Sequence, residues 1–348
     1  GKKVHLEALK ESDYLTPVAI YHYDKKLKSI LEKETGLEFF HDWEDLVKSP
    51  EIDGIIIATP PESRFKLAKR ALENNKNLLL EKPVSISSFE IEELQRISLI
   101  NNLSVCVDFE YRAVPLFLQT KKLIDQNTLG EIYLVKLDWL MGSRSDPKRD
   151  WNWYSLEEKG GGVIGALGTH AFDILNWFFG ESINVSGNLA TSIKKRPLPN
   201  SSDFNDVTSE DVCLANLEIS NYSSNLIPCQ VSLSSISKNG RGFSLEIYGS
   251  EGSLILKSEN QKDYVHGFNL KYSNKENKIQ NLTADSSFNF EKTWTDGRIA
   301  PVLRIQNLWA ESIFNQTPII PGLCEGLASH KVCEAIRESS KSGLSIKI

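Results

Sequence analysis

The chain has 348 residues, which at roughly 100–200 residues per domain allows about two domains with real cores. With 40% hydrophobic and 25% charged residues and a net charge of −6, it has the texture of an ordinary globular protein, and bulk attraction to nucleic acid is excluded. No apolar run reaches the 18 residues of a membrane span; the nearest, Ala171 to Phe179, is interrupted by Asp173 and Asn176.

In chain order, Lys3 to Glu11 reads as helical, with Gly1 just before it, where a glycine lets a loop approach a helix start. The strand that should feed such a loop is not in the sequence, and the only methionine is Met141. The expectation is that about a dozen residues precede Gly1 in the natural protein, carrying the first strand and the earlier loop glycines. Val18 to Tyr21 is a short strand. Asp24 then caps a charged helix through Glu34 that Gly36 ends. Asp53 to Ala58 and Asn77 to Leu80 are continuous apolar strands, each followed by a Pro-bearing turn and a helix (Glu62 to Asn74, and up to Ile100), and Leu103 to Val107 is the next strand. Apolar strands alternating with helices of about a dozen residues mean a parallel sheet covered on both faces, a doubly wound Rossmann-type α/β unit. We place this dinucleotide-binding unit at residues 1–112.

Past Arg112 the pattern changes. A helix from Ala113 to Gln126 leads to a strand at Glu131 to Leu137. Later strands at Val212–Ile219, Val231–Ile236, Phe243–Ile247 and Leu254–Leu256 are spaced by turn signals such as Asn239-Gly240, which suggests antiparallel meanders. With one very apolar helix at 169–179 and two more near 302–315 and 323–340, residues 113–348 read as an α+β substrate-binding and oligomerisation unit with a large, mostly antiparallel sheet. Five cysteines form an odd set without CxxC or metal spacing. They read as reduced thiols of a cytoplasmic protein, with no metal site.

In an open parallel sheet, ligands bind beyond the carboxyl ends of the strands. The turns there are Ala58-Thr59-Pro60-Pro61 and Leu80-Glu81-Lys82-Pro83. Proline at the first helical position accounts for the former by itself. Lys82, at a strand end and fixed by Pro83, is a candidate for the ligand cleft, against the alternative of a solvated lysine. In the 169–179 helix, His170, Asp173 and Asn176 recur every three positions amid apolar residues, which places His170 and Asp173 on one buried face. There Asp173 can orient the imidazole, or the two can merely satisfy each other.

The ordered set Ala58-Thr59-Pro60-Pro61, Glu81-Lys82-Pro83, Glu110-Tyr111-Arg112, Gly160-Gly161-Gly162, Gly168-Thr169-His170-Ala171-Phe172-Asp173 and Gly249-Ser250-Glu251-Gly252 resembles the glucose–fructose oxidoreductase / inositol dehydrogenase / rhizopine catabolism (Gfo/Idh/MocA) family over essentially the whole chain. The resemblance implies an NAD(P)-dependent oxidoreductase that interconverts a secondary alcohol and a ketone on a sugar, sugar acid or cyclic polyol. It implies that Lys82 lies beside the nicotinamide and the substrate hydroxyl and that His170 is the general acid/base, with Asp173 in support. Gly1, His22, Ala58, Thr59, Pro60, Glu81 and Lys82 would contact the cofactor. Arg112, Tyr111, Trp153 and Asp173 would contact the substrate, although Arg112 can equally be an inter-domain strut. A homodimer or homotetramer is the expected assembly, with no nucleic acid or membrane partner.

Two departures stand out. The family commonly has an aspartate four residues before the histidine, where this chain has Ala166, and Arg64 replaces a histidine often found after the Thr-Pro turn; Arg64 is given no catalytic role. Cofactor choice turns on Ile20-Tyr21-His22-Tyr23-Asp24-Lys25-Lys26. His22 stands where NAD enzymes have an acid, and the lysines follow, so the balance tips to NADP over NAD, while Asp24 is either a ribose acceptor or only a helix cap. Two other readings remain open at this level: a tightly bound, recycled NAD used in glycoside cleavage by transient oxidation, and a non-catalytic dinucleotide sensor.

Overall fold

A computed structural model describes residues 1–221, 225–276 and 278–348. Among the described residues, Gly54–Ile57, Asn77–Leu80 and Val105–Val107 form a parallel three-stranded sheet in that order, and Ala19–Tyr21 pairs in parallel with Glu38–Phe40. Leu78, Leu79 and Leu80 are fully buried, which is why this run shows no alternation: helices cover both faces. Pro61 opens the Pro61–Glu73 helix where its missing N–H costs nothing, and the Asp24 carboxylate caps the turn that follows it by accepting from Lys26 N, as a cap residue should.

The second unit is a nine-stranded mixed sheet among the described residues. Its order runs Ile279–Leu282, Asn269–Asn274, Gly252–Ser258, Gly242–Gly249, Ile132–Leu140, Leu226–Ser234, Val212–Ser220, Glu181–Ala190, Ile346–Lys347. Every pairing is antiparallel except Ile132–Leu140 with Leu226–Ser234. The expected meanders are there, with the strand read at Val231–Ile236 starting earlier, at Leu226. Along Val212–Ser220 burial alternates strictly, with Cys213, Ala215, Leu217 and Ile219 facing a core that includes Phe172, Leu175 and Phe178 of the Thr169–Phe179 helix.

The end of the chain also packs on the first unit. The Ile299–Asn315 helix returns to the parallel sheet, where Ile305 and Trp309 pack with Leu79 and Cys106. Leu323, at the start of the Leu323–Ser342 helix, joins the core of the first unit, and Val107 N donates to Pro321 O (3.1 Å). This return clamps the carboxyl ends of the parallel strands against the second unit. No described helix is long and apolar enough to cross a membrane.

The glycine run is the joint between the sheet and the site. Gly162 has φ +86°, and a Cβ there would lie 2.6 Å from Glu210 Oε1 and 2.9 Å from its carbonyl oxygen. Only glycine tolerates both the backbone conformation and this approach. The approach lets Glu210 accept from Val163 N through its carbonyl (2.8 Å) and from Ile164 N through its carboxylate (3.1 Å), which fixes the entry of the wide turn Ile164–Gly168 and so the helix carrying His170.

Candidate active site

The strand Asn77–Leu80 leads into Glu81, Lys82 and Pro83, beside the helical run that carries His170. Lys82 Nζ donates to the carbonyl of Ala166 (2.8 Å), one turn before His170 in the same helical run. The Lys82 charge is close enough to His170 that, after burial, it is the second cause holding the imidazole well below its usual range. Lys82 thus meets the helical run that carries His170, one turn before the imidazole. His170 is buried, with the rings of Phe109, Tyr111 and Trp139 around it at centroid distances of 5.9, 5.0 and 6.3 Å. Among the described residues its Nδ1 has no hydrogen-bond partner. It is a neutral imidazole in an aromatic box.

The carboxylate beside it is not the expected one. His170 Nε2 lies 3.5 Å from Glu110 Oε2. Asp173 instead gives both oxygens to Arg112, accepting from Nη2 (2.7 Å) and Nε (2.9 Å), and this corrects the expectation that it orients the imidazole. The planar fork of arginine captures a carboxylate bidentately, and sequence spacing on one helix does not compete with that. Arg112 is itself buried and lies over Trp177 (5.4 Å), so of its two alternatives the structure shows the strut. Tyr111 is buried beside it: its hydroxyl accepts from Tyr264 (3.1 Å), and its ring packs against His170 and Trp139. Trp153 is half-buried, edge-on to Tyr154, whose ring carries the Arg144 guanidinium.

Nothing in the sequence singles out Glu110 beyond its place in the Glu-Tyr-Arg motif. Burial lifts its carboxyl to about 7 even though Lys82 pulls the other way, with Glu81 adding to the rise. Glu81 itself lies below the usual carboxylate range, because His5 and Lys82 outweigh the opposing effect of burial. Its Oε1 is 3.0 Å from His5 Nε2, which is also 3.4 Å from Asp108 Oδ2. The Asp108 carboxyl is pushed well up by burial and by its acidic neighbours Glu81 and Glu110.

Arg64, without a role in the sequence reading, holds the two Pro-bearing turns together. It is buried, and its guanidinium donates to the carbonyls of Thr59, Glu81 and Pro83. It is a positioning residue for Lys82. Arg64→Met should leave three carbonyls, one buried and two partly buried, without that donor and cost about 3 kcal/mol of stability, read as a lower denaturant midpoint, with turnover falling further than the unfolded fraction accounts for. Unchanged turnover per folded molecule would remove the positioning role.

On the cofactor side, Gly1 stands at the carboxyl edge of the parallel strands, where a Cβ would meet Ala58 at 3.6 Å. Among the described residues Thr59 Oγ1 is buried with no partner, an orphaned hydroxyl just past the carboxyl end of the Gly54–Ile57 strand. Pro60 precedes the helix that begins at Pro61. His22 Nδ1 accepts from Asp24 N (3.0 Å) at the end of the Ala19–Tyr21 strand. A glycine at the strand edge and an unsatisfied hydroxyl in this turn fit a bound nicotinamide dinucleotide.

Residues 1–109 match the oxidoreductase family model for the NAD-binding Rossmann fold, and residues 121–348 match the family's C-terminal alpha/beta domain. The chain belongs to the Gfo/Idh/MocA oxidoreductase family. Within it, an uncharacterised oxidoreductase of Synechocystis is 38% identical over 97% of this chain and 91% of its own length. The glucose-6-phosphate 3-dehydrogenase of Bacillus subtilis is 23% identical over 98% and 93%. The levoglucosan dehydrogenase structure with NADH and levoglucosan superimposes with a TM-score of 0.85 at 19% identity, covering 99% of this chain and 94% of that one. The chain is a Gfo/Idh/MocA dehydrogenase or reductase built on a nicotinamide-binding Rossmann fold.

Proposed function

We propose that this family member interconverts a secondary alcohol and a ketone on a sugar, sugar acid or cyclic polyol, with Lys82 polarising the substrate oxygen and His170 exchanging its proton. The observation that carries this reading is the convergence of Lys82 and His170 on one helical turn. The bound nicotinamide supplies or accepts hydride at the substrate carbon. The ammonium of Lys82 lowers the cost of developing alkoxide charge in a site walled by aromatic rings, where such stabilisation is strongest. Levoglucosan, glucose 6-phosphate and D-xylose, from the names of relatives, head the substrate panel. The test follows nicotinamide absorbance across this panel, extended with cyclic polyols and sugar acids, in both directions. Reduction of added cofactor by one class supports the reading; conversion without net change in cofactor redox state sinks it in favour of recycled NAD.

NADP is the proposed dinucleotide. The Asp24 carboxylate is occupied as a helix cap on Lys26 N (2.9 Å), and among the described residues Lys25 and Lys26 form no ion pair, which leaves them for a 2′-phosphate. NADPH should bind at least several-fold more tightly than NADH by fluorescence titration, and Lys26→Glu should reverse the order; tighter NADH binding by the wild type overturns the assignment. A cytoplasmic location accords with five unpaired cysteines. A homodimer or homotetramer accords with Leu214 and Leu226 exposed on the outer face of the large sheet. The division at residue 112 into cofactor and substrate units is proposed on the same footing.

A further inference from the structure

We infer that Glu110 is the proton-holding carboxylate of this site: it forms a proton-sharing pair with His170 Nε2, and the proton that His170 passes on as it takes up the alcohol's comes to rest on the Glu110 carboxyl group. The inference rests on the redox reading above and names the group which that reading leaves unassigned. The position four residues before His170 is Ala166, which offers no acid, and its carbonyl accepts from Lys82. No acid from that helix reaches the imidazole, since Asp173 is held by Arg112. The carboxylate arrives from another element. The 3-10 turn Glu110–Ala113 follows the Val105–Val107 strand and brings Glu110 Oε2 to 3.5 Å from His170 Nε2.

The surroundings decide which partner holds the proton. His170 is shut in by three aromatic rings with Nδ1 unpartnered, so an imidazolium there would be poorly solvated. Glu110 is somewhat more exposed, its side chain at 12% against 4% for His170, and faces mixed charge. Lys82 and Arg298 favour its ionised form, while Glu81 opposes it. Asp108 precedes it at the strand end, and the phenols of Tyr111 and Tyr264 also face it. Burial outweighs the two cations, and its carboxyl stands at about 7, where it can both accept and release a proton near neutrality.

The step then balances. In the oxidative direction the C–H electron pair leaves as hydride to the nicotinamide oxidant, and the alcohol O–H bond breaks. The imidazole takes the alcohol proton at its unpartnered Nδ1 and passes the proton on Nε2 to Glu110 Oε2, where an O–H bond forms, and the substrate gains its C=O bond. Once product leaves, Nδ1 gives its proton to water, Glu110 returns the other to Nε2, and the site is reset. Reduction runs the same transfers backwards.

The test uses the full chain in two arms. In the first, NMR titration of protein labelled at the glutamate carboxyl and histidine ring nitrogens assigns Glu110 by its loss in Glu110→Gln. The expected result is a midpoint near 7, with the His170 Nε2 signal shifting through the same midpoint. A midpoint in the ordinary range near 4.3, or a His170 signal that ignores it, overturns the pair. In the second arm, with whichever panel sugar reduces the cofactor, Glu110→Gln should lower kcat about 10²–10³-fold and flatten the acid limb of the pH profile. It should leave NADPH binding within about two-fold. Adding Ala166→Asp to Glu110→Gln should restore at least about ten-fold by returning an acid to the helix. Wild-type turnover and an unchanged acid limb in Glu110→Gln overturn the role. If no panel sugar turns over, the redox reading fails, while the titration still decides the pair.

Discussion

Lys82→Ala is expected to lower kcat by about 10²–10³-fold, the cost typical of removing one preorganised donor from a developing oxyanion, while the chain remains folded. The side chain forms one hydrogen bond, to the Ala166 carbonyl, worth about 1 kcal/mol of stability, so the damage is to chemistry. The charge effect gives a second signature. Lys82 depresses both His170 and Glu110 in the native site. Its removal therefore raises both, and the acid limb of the oxidation profile, which requires the deprotonated carboxylate, moves to higher pH. Lys82→Arg keeps the charge but replaces a compact ammonium with a planar fork. It should restore the position of the limb and only part of kcat. Measuring kcat across pH 5–9 for the three proteins separates the roles: a loss of kcat with the limb unmoved would mean that Lys82 only positions the turn, and full turnover in Lys82→Ala would remove it from the mechanism.

Much of this geometry is legible in the amino-acid sequence. The runs at Ile55–Ile57 and Leu78–Leu80 read as parallel strands between helices, as they are, and the spacing of the 169–179 helix places His170 and Asp173 among its buried residues. The strand Glu181–Ala190 is not legible, because Asn184, Gly187 and Asn188 break its alternation and its pairing partners supply the stability that its own residues lack. Arg64 looks like one more charged residue on an amphipathic helix; that its head reaches three carbonyls of two turns follows only from how those turns converge. For Asp173 the helical period gives the correct face and the wrong partner, since Arg112 comes from a segment sixty-one positions away. Glu110 carries no signal of its own. A glutamate beside a tyrosine and an arginine becomes part of a site only when a 3-10 turn aims it at an imidazole on another helix. The readable hint is negative, the missing acid at Ala166.

The pair between Arg112 and Asp173 leads to the second large effect, on stability. Both side chains are buried, so Arg112→Ala leaves a carboxylate without its bidentate partner and should cost about 3–5 kcal/mol, a fall in Tm of roughly 5 °C for a chain of this length. The loss should depend on pH, and its sign follows from the native pair. Burial raises the Asp173 carboxyl to about 6 from its ordinary 3.8, with Arg112 pulling it partly back. Below the ordinary value both folded and unfolded states hold the proton. Between that value and about 6 only the folded state does, so this group's contribution to stability falls as pH rises through the window and is constant above it. Without Arg112 the carboxyl rises further and the window stretches beyond neutrality. Arg112→Ala is therefore more destabilised, relative to wild type, at pH 8 than at pH 5. Asp173→Asn alone leaves the buried guanidinium without its carboxylate and should also destabilise, whereas the double variant, free of both charges, should recover a large part of the loss. Thermal unfolding of the four proteins at the two pH values gives the coupling energy directly. Equal losses for Arg112→Ala at both pH values, or additive single losses, would show that the two side chains are not the electrostatic unit that ties the segment after Val105–Val107 to the helix bearing His170.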